Sequence, residues 1–367
     1  MNSLATHLQD CIRLEGPMPI SRYMAEALGH PEWGYYISRD PLGRAGDFIT
    51  APEVSQMFGE LIGLWCADRW QAMGAPDPFI LAELGPGRGT LMADALRAGA
   101  SVPGFVQAAQ VHLVETSPVL RASQRAALPQ DVTSCEITWH DNIADLPALP
   151  GLTIANEFFD ALPIRQFQRA EDGWHERMVG LQDDALCLVL DPAVVPAVPT
   201  ELMAQDAELG DIVEVSSART GAMTELAQHI VQNSGGALVI DYGHGRSAVG
   251  DTLQAMRGHK FVAVLDDPGQ ADLTSHVDFQ ALAEAAGSAG ARAYGPVGQG
   301  AFLTQLGINQ RAQMLQQTAT VEQAAAIASA LLRLTDQDQM GQLFKVMAVT
   351  TETTNEGQTP PGFLESE

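Results

Sequence analysis

The run Glu83-Leu84-Gly85-Pro86-Gly87-Arg88-Gly89-Thr90 has the make-up of a loop that cradles a ligand. It follows the apolar run 79–84 and precedes residues of helical character at 91–97. Glycine at a strand-to-helix turn lets the backbone bend sharply and approach a ligand without a Cβ clash, and the helix start offers free amides. A dinucleotide fingerprint would place its third glycine at position 90; here Thr90 stands there and the third glycine is Gly89. The plain alternative is a tight turn that binds nothing. Glu115 ends the next apolar run, 110–115, where a carboxylate can accept hydrogen bonds from two ribose hydroxyls; its other reading is a surface glutamate. Asp141 follows the run 136–140 and suits either an adenine amino group or a helix cap.

The elements around these residues alternate. Apolar runs at 79–84, 110–115, 136–140, 152–157 and 237–242 are separated by helical patterns at 91–97, 117–128 and 220–231. Alternation of this kind predicts a doubly wound α/β fold with a mainly parallel sheet. The stretch 164–191 breaks it with three short strands at 164–169, 174–181 and 185–190, an inserted antiparallel meander followed by a Pro-rich loop at 192–211. Ahead of the sheet lie a helical stretch at 1–30, a loop-rich stretch at 31–52 and a helix at 55–73; behind it come a helix at 277–286, a late strand at 301–304, helix at 310–333, a closing edge strand at 344–349 and a loose tail. The expected domains are an N-terminal helical lobe and lid over 1–75, a catalytic domain over 76–350 with its insertion at about 164–211, and a tail over 351–367.

Composition narrows the function. The net charge of −25 repels phosphate backbones and anionic lipid, so nucleic acid is a poor partner and a basic protein segment a good one. Acidity that serves solubility alone is the competing explanation. Four scattered cysteines (Cys11, Cys66, Cys135, Cys187) form no C-x-x-C pair, so no metal is expected. The first residues lack the character of a secretory signal or transit peptide, and no apolar run is long enough to span a membrane. The expectation is a cytoplasmic, bacterial-type chain.

The G-x-G-x-G spacing of Gly85, Gly87 and Gly89 fits methyltransferases better than dehydrogenases. The chain also resembles the MidA-like class I S-adenosylmethionine-dependent methyltransferases, which include the mitochondrial complex I assembly arginine methyltransferase. The resemblance is carried by 46–60 (GDFITAPEVSQMFGE), 83–91 (ELGPGRGTL), 156–163 (NEFFDALP), 241–244 (DYGH) and 272–279 (DLTSHVDF). Ala51 stands where a serine is expected, and 250–259 follows the family pattern loosely.

That resemblance implies a seven-stranded sheet, S-adenosylmethionine as cofactor, and arginine of a protein, a complex I subunit, as acceptor, with symmetric dimethylation. The family's cofactor loop maps onto Gly85, Gly87 and Gly89 and its ribose acid onto Glu115, with Glu83, Asp141 and Asp47 on the cofactor side. Asn156 and Glu157 then end the fourth strand beside the reacting centre, with Asp160 three residues on. A carboxylate pairs bidentately with a planar guanidinium, so Glu157 is read as the clamp, Asn156 as a positioning amide and Asp160 as a second carboxylate. A structural turn capped by Asp160 is the alternative. Glu53, Asp241, Tyr242 and His244 are read as acceptor-side residues; His276 and Asp278 suit a catalytic pair or a helix-capping segment equally. A small-molecule acceptor, or a cofactor-binding assembly chaperone without activity, remain the rival functions.

Overall fold

The computed structural model describes residues 3–38, 50–128, 137–195, 207–351 and 359–363. Among the described residues the main sheet has eight strands, seven of them along its path: β1 Phe79–Leu84, β2 Ala109–Val114, β3 Ile137–His140, β4 Gly151–Asn156, β5 Gly235–His244, β6 Ala291–Gly298 and β7 Phe344–Thr351. Across the sheet they run β6-β7-β5-β4-β1-β2-β3. The strands from β3 to β5 pair in parallel, while β7 is antiparallel to both β5 and β6. Every residue of β1 and β4 is buried, which is why both read as unbroken apolar runs. The strand order reverses between β1 and β4, and in such sheets the ligand crevice opens at the carboxyl ends of the strands flanking that reversal. Leu84 leads into the glycine loop there, and Asn156 into Glu157.

The chain divides into two compact units. The first comprises Met1–Phe48, Phe159–Gly221 and His244–Ala281; the second comprises Ile49–Phe158, Ala222–Gly243 and Leu282–Glu367. In the first, the expected meander is present as Arg165–Ala170, Gly173–Gln182 and Ala185–Val195, paired antiparallel in succession. Ile212–Val215 and the two-residue strand Met18–Pro19 extend this sheet. The helical stretch expected at 1–30 is two helices, Ser3–Glu15 and Ile20–Gly29, broken where Gly16 takes a φ of +89°. Leu4, Leu8 and Ile12 of one and Tyr23, Met24 and Ala27 of the other form one core with Val179 and Leu273. The second unit buries Phe58, Trp65 and Trp70 of helix Gln56–Ala72 in a core with Phe79 and Phe105.

Three expectations change. The segment expected as a strand at 301–304 is part of helix Gln299–Gln305, because a four-residue apolar run carries no period of its own and the helix buries Phe302 and Leu303 together. The closing strand at 344–349 is not an edge, since β6 lies outside it; Gly295-Pro296 and a register shift between Tyr294 and Val297 break β6's alternation. Proline is tolerated at an edge, where it removes no ladder bond from a neighbour. The tail is tied down in part: the Trp65 indole N–H donates to the Pro361 carbonyl (3.1 Å), and Phe363 packs on Phe302 at 5.5 Å between ring centres. Among the described residues, no helix is long and apolar enough to cross a membrane.

Candidate active site

The glycine loop has the backbone its sequence requires. Gly85, Gly87 and Gly89 all have positive φ, at +61°, +53° and +83°, a region that side-chain-bearing residues seldom enter. A Cβ on Gly85 would lie 3.1 Å from the Phe158 ring. The Gly89 amide closes the turn on the Pro86 carbonyl (2.8 Å), and the Gly85 amide ties the loop to Val114 at the end of β2 (3.0 Å). Helix Thr90–Gly99 starts here with no side-chain cap on Gly89. The Thr90 hydroxyl donates to Glu53 (2.7 Å), so residues 50–54 lie against the helix start. Glu83 sits beneath the loop, buried in β1, with Oε2 lacking a hydrogen-bond partner. Burial pushes its carboxyl up to about 8, opposed by the Met92 amide in the helix's first turn.

Glu115 and Asp141 come together at the ends of β2 and β3. Glu115 Oε1 accepts from the Ser117 amide (2.8 Å) and Oε2 from Gln124 Nε2 (3.2 Å). Burial raises the Glu115 carboxyl, and these N–H donors oppose the rise. Arg121 donates to the Glu115 carbonyl (2.7 Å), the His140 carbonyl (3.0 Å) and Asp141 Oδ1 (2.6 Å), drawing the two strand ends together. Ser117 caps the helix Pro118–Ala127 through the Leu120 amide (3.3 Å), the role its position predicts.

At the end of β4 the backbone is strained. Glu157 has φ +51°, and its amide donates to the Ile240 carbonyl (2.9 Å). A non-glycine residue in this region costs on the order of 1–2 kcal/mol. Its Oε1 accepts from the Ala51 amide (3.1 Å) and from Asn156 Nδ2 (3.3 Å), while Asn156 Oδ1 is buried without a hydrogen-bond partner. Asp241 follows Ile240 on β5, fully buried, and accepts from the Tyr242 amide (2.9 Å); the Tyr242 ring packs edge-on against Phe344.

Asp160, His244, His276 and Asp278 belong to the first unit. Asp160 is buried, and its carbonyl takes a bond from Arg219 Nη2 (2.9 Å). His244 Nδ1 donates to the Arg246 carbonyl (2.8 Å), which leaves the lone pair on Nε2. Asp278 accepts from the Ala281 amide (3.1 Å) and the Ser247 hydroxyl (2.6 Å), the geometry of a helix cap. Burial depresses the His276 imidazole, and His244 nearby adds to the effect. Asp47 lies outside the described residues. The sequence reading missed Arg219, whose buried guanidinium also donates to the carbonyls of Phe159, Ser275 and His276 (2.7, 3.0 and 2.7 Å). It missed Arg121 and Gln124 too; their partners lie far off in sequence and leave no local signal. Among the described residues, His7, Glu26 and His30 bring ligand-type atoms within 4.8 Å of one another. His30 Nδ1 already accepts from the amides of Glu32 and Trp33 (3.2 and 3.3 Å).

A family model described as "Putative S-adenosyl-L-methionine-dependent methyltransferase" matches residues 61–297. The chain belongs to that family. It is similar to "Protein arginine methyltransferase NDUFAF7, mitochondrial" of Xenopus tropicalis, 38% identical over 98% of this chain and 88% of the relative. It is also similar to the protein of the same name from Homo sapiens, 39% identical over 84% of this chain and 74% of the relative. A solved structure, a "likely methyl transferase from Burkholderia thailandensis bound to S-adenosyl-homocysteine", superimposes with a TM-score of 0.84 at 28% identity, covering 98% of this chain and 94% of that one. This methyltransferase therefore uses S-adenosylmethionine, on the mainly parallel sheet that its alternation predicted. The expectation of a cytoplasmic protein does not stand: the relatives matched along nearly the whole chain are named mitochondrial proteins.

Proposed function

We propose that this enzyme methylates arginine side chains of a protein acceptor, a respiratory complex I subunit during assembly, and that its product is symmetric dimethylarginine. The observation that carries the reading is Glu157, a carboxylate held in left-handed backbone at the end of β4 by the Ala51 amide and Asn156. Strained residues persist where the surrounding structure over-determines them, and they cluster at working sites. The matched relatives named protein arginine methyltransferases support the acceptor class.

The residues present fit the cofactor. Three left-handed glycines leave the loop after β1 without side chains, and Asn156 Oδ1 stands buried and unpartnered at the neighbouring strand end. Gly85, Gly87 and Gly89 would hold the cofactor with Glu115 on the ribose hydroxyls and Asp141 at the adenine edge. Glu83 supports the helix start from below, and Glu53 belongs to the segment beside it. When bound, S-adenosylmethionine supplies a sulfonium methyl group. Glu157 then pairs with the acceptor guanidinium, orients one nitrogen for in-line attack and concentrates positive charge on the other. Arginine does not deprotonate readily, so orientation is the carboxylate's main work. Asn156 fixes Glu157, while Asp241 and Tyr242 shape the acceptor side.

The test uses purified protein, methyl-labelled cofactor and the complex I subunits as acceptors. Label should appear on arginine and disappear with Glu157→Gln, while S-adenosylhomocysteine still binds that variant by calorimetry. Label on a small molecule instead, or on a protein residue other than arginine, contradicts the reading.

A further inference from the structure

Gln124 does not belong to any motif of the sequence, yet it is completely buried, and its side chain joins three separate parts of the cofactor half. Its Nε2 donates to the Gly87 carbonyl (2.7 Å) inside the glycine loop and to Glu115 Oε2 (3.2 Å). Its Oε1 accepts from the Trp139 indole N–H on β3 (2.8 Å). The indole fixes which way the amide points, since an indole nitrogen only donates. The reverse orientation would set the amide oxygen against the Gly87 carbonyl and the NH₂ against the indole N–H. Trp139 is itself held under the Arg125 guanidinium, 4.4 Å from the ring centre. Gly89 sits close above: a Cβ there would meet Gln124 Cα at 3.4 Å.

Both amide hydrogens are thus spent, one on the loop and one on the carboxylate. The Ser117 amide donates to Glu115 Oε1 and Gln124 to Oε2, so both oxygens of the carboxylate are held in a fixed orientation. We infer that Gln124 is a positioning residue for the cofactor: it locks the Glu115 carboxylate and the Gly87 carbonyl into one arrangement, so that loop and ribose acid engage the cofactor as a unit. The inference rests on the reading of Glu115 as the ribose acid. It goes beyond that reading by assigning cofactor affinity, and not the methyl-transfer step, to a residue that touches neither reacting group.

Gln124→Met keeps the volume and removes all three hydrogen bonds. Calorimetry with S-adenosylhomocysteine should show Kd raised about tenfold or more, the loss of a charge-assisted bond in a buried site. At saturating cofactor, kcat should stay within about threefold of the parent, so the loss falls in KM. Gln124→Glu gives the signature that a merely structural residue would not. Two carboxyls then share one site and hold one proton between them at low pH, with no second donor left for the Gly87 carbonyl, so binding should be weaker than the parent's already at about pH 6 and weaken progressively further toward about pH 9, where the parent stays flat. If the parent binds S-adenosylhomocysteine and Gln124→Met binds it equally well, the inference fails while the cofactor site stands. It fails as well if kcat falls with affinity, or if Gln124→Glu shows no pH dependence beyond the parent's. Should the parent not bind, or should Glu115→Gln bind as tightly as the parent, the reading of the site itself has failed.

Discussion

Two turns at neighbouring strand ends use left-handed backbone in opposite ways. After β1, every residue with positive φ is a glycine, for which the conformation is free; after β4, the residue at φ +51° is Glu157, for which it is costly. The first turn makes room by leaving side chains out. The second accepts strain in order to aim a carboxylate, and anchors it with the Ala51 amide and Asn156. On the proposed reading the difference separates two jobs: the glycine loop is built to be approached by a ligand, and the Glu157 corner to present a charge to one. Substitutions at the two turns should therefore fail in different ways.

The largest effect is expected at the loop. Gly87→Val places a β-branched residue at φ +53° and should reduce S-adenosylhomocysteine binding by about a hundredfold or more in calorimetry. Glu157→Gln should leave that binding within about threefold yet lower methyl transfer about a hundredfold in a label-transfer assay, because a misaimed acceptor loses the benefit of orientation. Stability draws the same contrast on a smaller scale. Gly85→Ala meets both φ +61° and the Phe158 ring at 3.1 Å, and should cost about 1–2 kcal/mol in urea unfolding. Glu157→Gly releases the strain and should leave stability within about 1 kcal/mol of the parent, though transfer is lost. An equal loss of stability at both turns would erase the distinction.

The remaining effect lies beneath the loop and depends on pH. The Glu83 carboxyl is raised to about 8 by burial, so the folded state holds a proton that the unfolded state releases at ordinary carboxylate pH. Stability should therefore decline as pH rises from about 5 through 8, by at most about 1.4 kcal/mol per unit, and level off above. Glu83→Gln should flatten that slope in unfolding experiments run across this range. An unchanged slope would remove Glu83 as its source.

How far the molecule was legible follows from where each signal lies. Strands β1 and β4 are buried on both faces and announce themselves as apolar runs, and the glycines name their own backbone region. Glu115 and Glu157 stand out in the sequence because they end such runs. The sequence kept silent where a partner lies far along the chain. Arg219 contacts residues 56–60 positions away, and Gln124 reaches Gly87 across 37. β6 was hidden because Gly295-Pro296 interrupts its alternation, and the helix at 299–305 because its apolar pair is too short to show a period. The Pro361 carbonyl held by Trp65 shows how one long-range bond orders part of a tail whose composition predicts none.

Glu157 is proposed to direct methyl groups onto protein arginine. The most direct test of that role is quantitative mass spectrometry of methylarginine in cells carrying the parent gene, a deletion, or Glu157→Gln. The expected result is a defined arginine, on a complex I subunit, that is dimethylated only with the parent gene and unmodified in both others. An arginine inventory that is identical in all three strains, from a protein that still binds S-adenosylhomocysteine, would contradict it.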